Sequence, residues 1–252
     1  MSHINYLIWR PTLLFLSIAA GLILIARLPF SWDAWQPDEC RLRNCFCEPI
    51  HADQLALQPF TALSDLPYIL CGLLIFNAPG APAKRRLLQR ALGAVLLIAG
   101  FFSFFYHASL TAAGAWFDLM GVYLISETLL FYNLSRLQVF SRKVITTSFV
   151  VILIFLGIQM ALAPGLQQIC FIGLLVGAGC LEIAVRRIRQ PSLDDRWMLA
   201  ALTSFALSGF IWVFSERVVS CNPAFPIPWL AGWHLFSALA AGFLYMYYAS
   251  ER

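Results

Sequence analysis

The stretch VITTSFVVILIFLGIQMALA, residues 144–163, runs from Val144 to Ala163 without one acidic or basic side chain. A helix needs about 20 mostly apolar residues to cross roughly 30 Å of hydrocarbon, and in lipid the backbone must satisfy its own hydrogen bonds, so such a run reads as a membrane-spanning helix. Seven more runs of the same kind lie near residues 12–30, 60–78, 90–107, 115–134, 165–185, 197–215 and 229–248. The links between them are too short to hold a separate soluble domain. The first run is read as a retained anchor helix, because the residues after it, LPFSWDAWQ at 28–36, show no small-residue cleavage pattern. The fold class predicted is all-α, a polytopic membrane helical bundle.

Composition agrees. Of 252 residues 60% are hydrophobic and 12% charged, with a mean hydropathy of +0.75, whereas soluble domains run near half apolar and a quarter charged. That excludes an ordinary water-soluble globule. Charge is also too sparse for a disordered or nucleic-acid-binding chain, so the net charge of +4 is read as a topology signal.

Lys and Arg are retained on the cytoplasmic side of short loops. Lys84, Arg85, Arg86 and Arg90 fill one loop; Arg136, Arg142 and Lys143 fill the next but one; Arg186, Arg187, Arg189 and Arg196 fill the next but one again. With Arg10 and Arg252 these account for all 17 Lys and Arg except Arg27, Arg41, Arg43 and Arg217. Both termini are therefore expected in the cytoplasm. Loops 31–59 and 216–228 are expected outside, with Cys40, Cys45, Cys47 and Cys221 on the side where disulfides form. Two bridges among these four have three possible connectivities. Cys71, Cys170 and Cys180 fall within spans as small apolar residues.

Ionisable side chains within spans are expensive and mark function by default. Here they collect at one depth. His107 and Ser103 end the third span, Asp118 begins the fourth, His234 begins the eighth, and Asp65 and Glu216 lie at a similar level. Ser103 and His107 are four apart and share a helix face, and the turn TAAGA at 111–115 brings Asp118 back antiparallel beside them. Two imidazoles and a carboxylate from separate helices suit a divalent metal such as zinc. The competing reading is a set of interhelical hydrogen bonds that hold the bundle together. Glu127 lies about 13 Å further along the same helix as Asp118 by rise per residue, and is expected to pair between helices instead. His3 and His51 are read as solvated residues.

The motif SFFYH at 103–107, Asp118 eleven residues later, and the late Trp233–His234 pair together resemble the alkaline ceramidase family, a branch of the seven-helix membrane hydrolases that also include adiponectin-receptor-like proteins. Supporting stretches are Cys47–Glu48, QPFTALSDL at 58–66, and FSERVVSC at 214–221. The resemblance covers about residues 45–250, which divides the chain into an N-terminal anchor helix and outer loop at 1–44 and a seven-helix domain at 45–252. It implies an intramembrane zinc amidase cleaving the N-acyl bond of a ceramide-like membrane lipid. His107 and His234 would be metal ligands, Ser103 would stabilise the metal site or oxyanion, and Asp118 would move the proton. It also selects Cys47–Cys221 as one disulfide.

Two departures accompany the match. The family carries His-x-x-x-His in its last span, and the first of those positions is Leu230 here, so Asp118, Asp65 or Glu216 would have to supply a third ligand. The family's calcium site is degraded: Glu48 survives while Cys45, Ile50 and Gln58 stand where oxygen-rich ligands are expected, which leaves calcium doubtful. The alternative function is a non-catalytic, lipid-binding or receptor-like bundle with a decayed metal site. A transporter is disfavoured by the absence of internal repeats. Short loops and the lack of retention signals suggest a bacterial inner membrane.

Overall fold

The structure, a computed structural model, describes residues 2–43, 45–79, 83–217 and 229–251, with the side chains of 2–8, 83–84 and 215–217 left aside. Eight helical segments are long and apolar enough to cross a membrane, and the protein is an all-α polytopic bundle. In chain order the helices are α1 (Ser2–Ala26), the short α2 (Glu39–Arg43) and α3 (Pro59–Leu63), then α4 (Leu66–Phe76), α5 (Ala83–Ser109), α6 (Ala112–Arg136), α7 (Arg142–Leu162), α8 (Gln167–Arg189), α9 (Asp195–Arg217) and α10 (Leu230–Ala249).

The helix ends differ from the apolar runs for local reasons. α1 stops at Ala26 and not near residue 30, since the chain turns there and Pro29, which lacks an N–H, forms a bridge with Gln54 instead. α5 begins at Ala83, well before residue 90, because Lys and Arg are good helix formers and the basic stretch simply continues the apolar helix. Between α7 and α8 the residues Pro164–Leu166 form a single 3₁₀ turn. The second span is divided: α3 ends at Leu63 with Ser64 as its C-cap, Asp65 follows, and α4 starts with Leu66–Pro67.

Burial separates an inner ring from a periphery. The spans of α3–α4, α5, α6 and α10 are 39–61% buried, against 11–22% for α1, α7, α8 and α9. The inner four share one core of Tyr68, Leu92, Leu96, Leu129, Ala238 and Tyr247. α4 and α5 approach so closely that a Cβ on Gly72 would lie 2.8 Å from the carbonyl oxygen of Gly93, and one on Gly93 would lie 2.7 Å from the Phe76 nitrogen. Small residues permit this where no hydrophobic force acts between helices in lipid. α7 and α8 pack on the opposite side of α6, and α9 packs against α10.

One end of the bundle is covered by residues 27–58. Leu55, Ala56, Leu57 and Gln58 donate their amides to the carbonyls of Leu28 (2.7 Å), Ala26 (3.0 Å), Ala108 (2.8 Å) and His107 (3.2 Å). The last carbonyls of a helix have no partner within it, so the loop satisfies those at the ends of α1 and α5. Trp32 Nε1 donates to the Leu55 carbonyl at 2.7 Å and Tyr106 Oη donates to Asp38 at 2.8 Å. In this loop Ser31 and Arg41 both bind the exposed Asp33 carboxyl and hold it below the usual carboxylate range. A Cys40–Cys45 disulfide closes the α2 turn. The Cys47–Cys221 pairing lies outside the described residues, because Cys221 is not among them.

The opposite end carries a buried ion-pair network. Arg136 of α6 binds Glu182 of α8, Glu182 also accepts from Tyr247 of α10, and the Arg136 guanidinium lies against the rings of Tyr132 and Tyr248. Arg136 additionally faces Glu251 at 3.1 Å. Three helices and the last described residues of the chain are thereby tied together.

Candidate metal centre

Five polar residues from four inner segments converge beneath the covering loop. His107 lies in the last turns of α5 and Ser103 one turn before it, on the same face. Thr111 caps α6 by accepting from the Gly114 amide at 3.0 Å, which fixes the tight α5–α6 turn and returns Asp118 beside Ser103. Asp65 stands at the break between α3 and α4, and His234 lies in the second turn of α10.

Asp65, His107 and His234 are 0%, 1% and 3% exposed. Each offers a ligand atom within 4.8 Å of the others, the one such grouping of potential metal ligands among the described residues. The two imidazole rings are 5.1 Å apart between centroids, and Asp65 Oδ1 is 3.3 Å from His234 Nδ1. Ser103 sits between the carboxyls of Asp65 and Asp118, which are close enough to each other for mutual repulsion. The edge of Phe46 closes over His107 with centroids 5.0 Å apart.

The fit to a metal can be judged from what these atoms lack. Among the described residues neither Asp65 oxygen makes a hydrogen bond of good geometry, although Ser103 lies near, and His107 Nδ1 has no partner. Buried polar groups are nearly always paired, and an orphaned carboxyl and imidazole side by side are unusual. Two His and one carboxylate form a donor set well suited to zinc, with an open position for water. The spacing is one that a single ion can bridge after small side-chain rotations.

Of the sequence-predicted residues, His107 and His234 lie side by side, and Ser103 lies beside Asp118. Among the three alternatives for a third ligand the structure groups Asp65 with the histidines; Asp118 is not in that grouping; the Glu216 side chain lies outside the described residues. Leu230 is 5% exposed on the turn of α10 before His234. Glu127 corrects the expectation of an interhelical pair: it is fully buried and neither carboxyl oxygen has a partner among the described residues, since nine residues along the helix turn it half a wheel away from Asp118 and the polar cluster. Glu48 is also buried, its Oε1 accepting from the Phe60 amide at 2.7 Å and its Oε2 from the Thr61 amide and hydroxyl at 2.7 and 2.6 Å. Both oxygens thus cap α3.

Sequence reasoning missed Ser64. Its hydroxyl lies 2.7 Å from His234 Nδ1, and the only hint was its position beside Asp65, which no periodicity singles out.

Fold and site together define a polytopic all-α membrane protein with a buried two-histidine, one-carboxylate cluster beneath one end of its bundle. The sequence matches no known protein-family model, and none of the curated proteins matches it either.

Proposed function

We propose that the protein is a ceramidase-like membrane hydrolase that cleaves the N-acyl amide bond of a ceramide-like lipid, with zinc held by His107, His234 and Asp65. The observation that carries this reading is the juxtaposition of three buried, mutually adjacent donors, two with orphaned atoms, beside a serine and a second carboxyl. Bound there, zinc would polarise the amide carbonyl and lower the pKa of a water molecule. The chain's own residues then divide the remaining work. Ser103 donates its hydroxyl proton toward the oxygen that gains charge as the carbonyl is attacked. Asp118, not needed as a ligand once Asp65 fills that place, accepts the proton from water and returns it to the departing amine as the C–N bond breaks. The products are a fatty acid and a free amine.

The basic residues support a topology with both termini in the cytoplasm and the cluster near the outer face, and the short loops support a bacterial inner membrane. The buried Leu230, where the resembling family has a metal ligand, favours a second reading: a non-catalytic lipid-binding or receptor-like bundle.

Metal analysis of the purified protein, coupled to hydrolysis of a fluorescent N-acyl sphingoid lipid, separates the two. About one zinc per chain and chelator-sensitive release of fatty acid support the hydrolase. Lipid binding without metal or turnover would overturn it in favour of the second reading.

A further inference from the structure

We infer that Ser64 is a positioning residue that fixes the tautomer of His234, leaving Nε2 as the ring's only basic nitrogen. Ser64 Oγ lies 2.6 Å from the Thr61 carbonyl oxygen and 2.7 Å from His234 Nδ1. A serine hydroxyl has one proton and two lone pairs. The carbonyl can only accept, and at 2.6 Å two oxygens without a proton between them would repel. The serine proton therefore goes to Thr61, and Ser64 Oγ must accept from an Nδ1–H on His234. Asp65 does not take this proton: its Oδ1 is 3.3 Å from Nδ1 but makes no hydrogen bond, so the N–H is aimed at the serine.

The chain of contacts continues outward. Thr61 is itself held by Glu48, which accepts from both its amide and its hydroxyl. Glu48, Thr61, Ser64 and His234 thus form one relay from the covering loop to the cluster. A hydrogen bond on one imidazole nitrogen decides which tautomer is present, orients the ring, and raises the basicity of the other nitrogen. Ser64 plays that part for His234. His107, whose Nδ1 has no partner, has no equivalent, so the two histidines are held unequally.

The role in metal affinity rests on the proposed zinc site, whereas the tautomer does not, and the experiment reads them separately. The chain has four histidines, so ¹⁵N-histidine spectra of the metal-free protein in detergent can be assigned to His234 by comparison with His234→Gln. The parent should show a protonated Nδ1 and an unprotonated Nε2 at His234. Ser64→Ala should lose this single form, and Ser64→Thr, which keeps the hydroxyl, should restore it. In zinc titrations Ser64→Ala should bind about 10–100-fold more weakly than the parent, the range typical for loss of a partner to a metal-ligating histidine, and Ser64→Thr should recover most of that loss. A parent His234 protonated at Nε2, or a tautomer unchanged in folded Ser64→Ala, overturns the proposal. If His234 has the expected tautomer and loses it in Ser64→Ala while no variant binds zinc, the positioning role stands and the metal reading fails.

Discussion

Asp65 and His234, from segments 169 residues apart in sequence, face each other across the bundle with Oδ1 and Nδ1 3.3 Å apart and no hydrogen bond between them. The carboxyl is fully buried and lies against an imidazole whose proton is directed elsewhere. Such an arrangement is costly unless something else satisfies the carboxyl.

Asp65→Asn keeps the shape and removes the charge. If the carboxylate is a ligand, retained zinc should fall by at least about 10-fold, a floor set by the effect of losing even an outer partner. Elemental analysis after gel filtration checks this. Equal zinc in parent and variant would remove Asp65 from the ligand set.

Leu230 is buried one turn before His234 on α10, so Leu230→His places a third imidazole on the face that carries the second. Zinc affinity should rise, because a neutral donor replaces an aliphatic group beside existing ligands. Isothermal titration in detergent reads the change. No gain, in a variant that folds, would mean that Asp65 already completes the site.

Glu127 and Asp118 share α6 and should behave oppositely. Glu127→Met removes an orphaned carboxyl and should stabilise the protein by about 1–3 kcal/mol, with metal content and turnover unchanged. Asp118→Asn should leave the melting temperature near that of the parent and abolish amide hydrolysis. Thermal unfolding followed by circular dichroism, run beside the lipid assay, compares them; equal activity loss in both variants would contradict the assignment.

At the other end of the bundle, Arg136→Met should destabilise, by less than the roughly 3–5 kcal/mol of a fully stranded charge, since buried Glu182 loses its nearer cation and keeps only Arg186 at 3.4 Å. The double variant Arg136→Met, Glu182→Met should recover most of that loss. Denaturant unfolding of both measures the difference, and a double variant no better than the single would show that the ion pair itself stabilises the fold.

Much of the architecture was readable because lipid imposes a length on every span: the run 144–163 corresponds to α7 within two residues. The ends were less legible. Lys84–Arg86 end an apolar run but not a helix, so α5 extends through them. The break at Ser64–Asp65 does not interrupt the apolar run 60–78 for long enough to mark a helix boundary. For the site, depth in the sequence placed His107, His234, Ser103 and Asp118 at one level of the bundle, because short links fix the level at which each helix starts. It could not rank Asp65 above Asp118 as the neighbour of the histidines, since that depends on which faces of α4, α6 and α10 turn inward. Ser64 was invisible for the same reason.

The covering loop is fastened to α1 and α5 through main-chain atoms, the amides of Leu55 to Gln58 meeting the carbonyls of Leu28, Ala26, Ala108 and His107 in turn. The hydrogen bonds of such a seam come from main-chain atoms alone and are strict about residue number. A substitution at Ala56 or Leu57, both fully buried, acts through packing and leaves the row in register, whereas deleting one residue slides the whole row and withdraws Gln58 from the carbonyl of His107. Spacing is what keeps the imidazole of His107 under its roof.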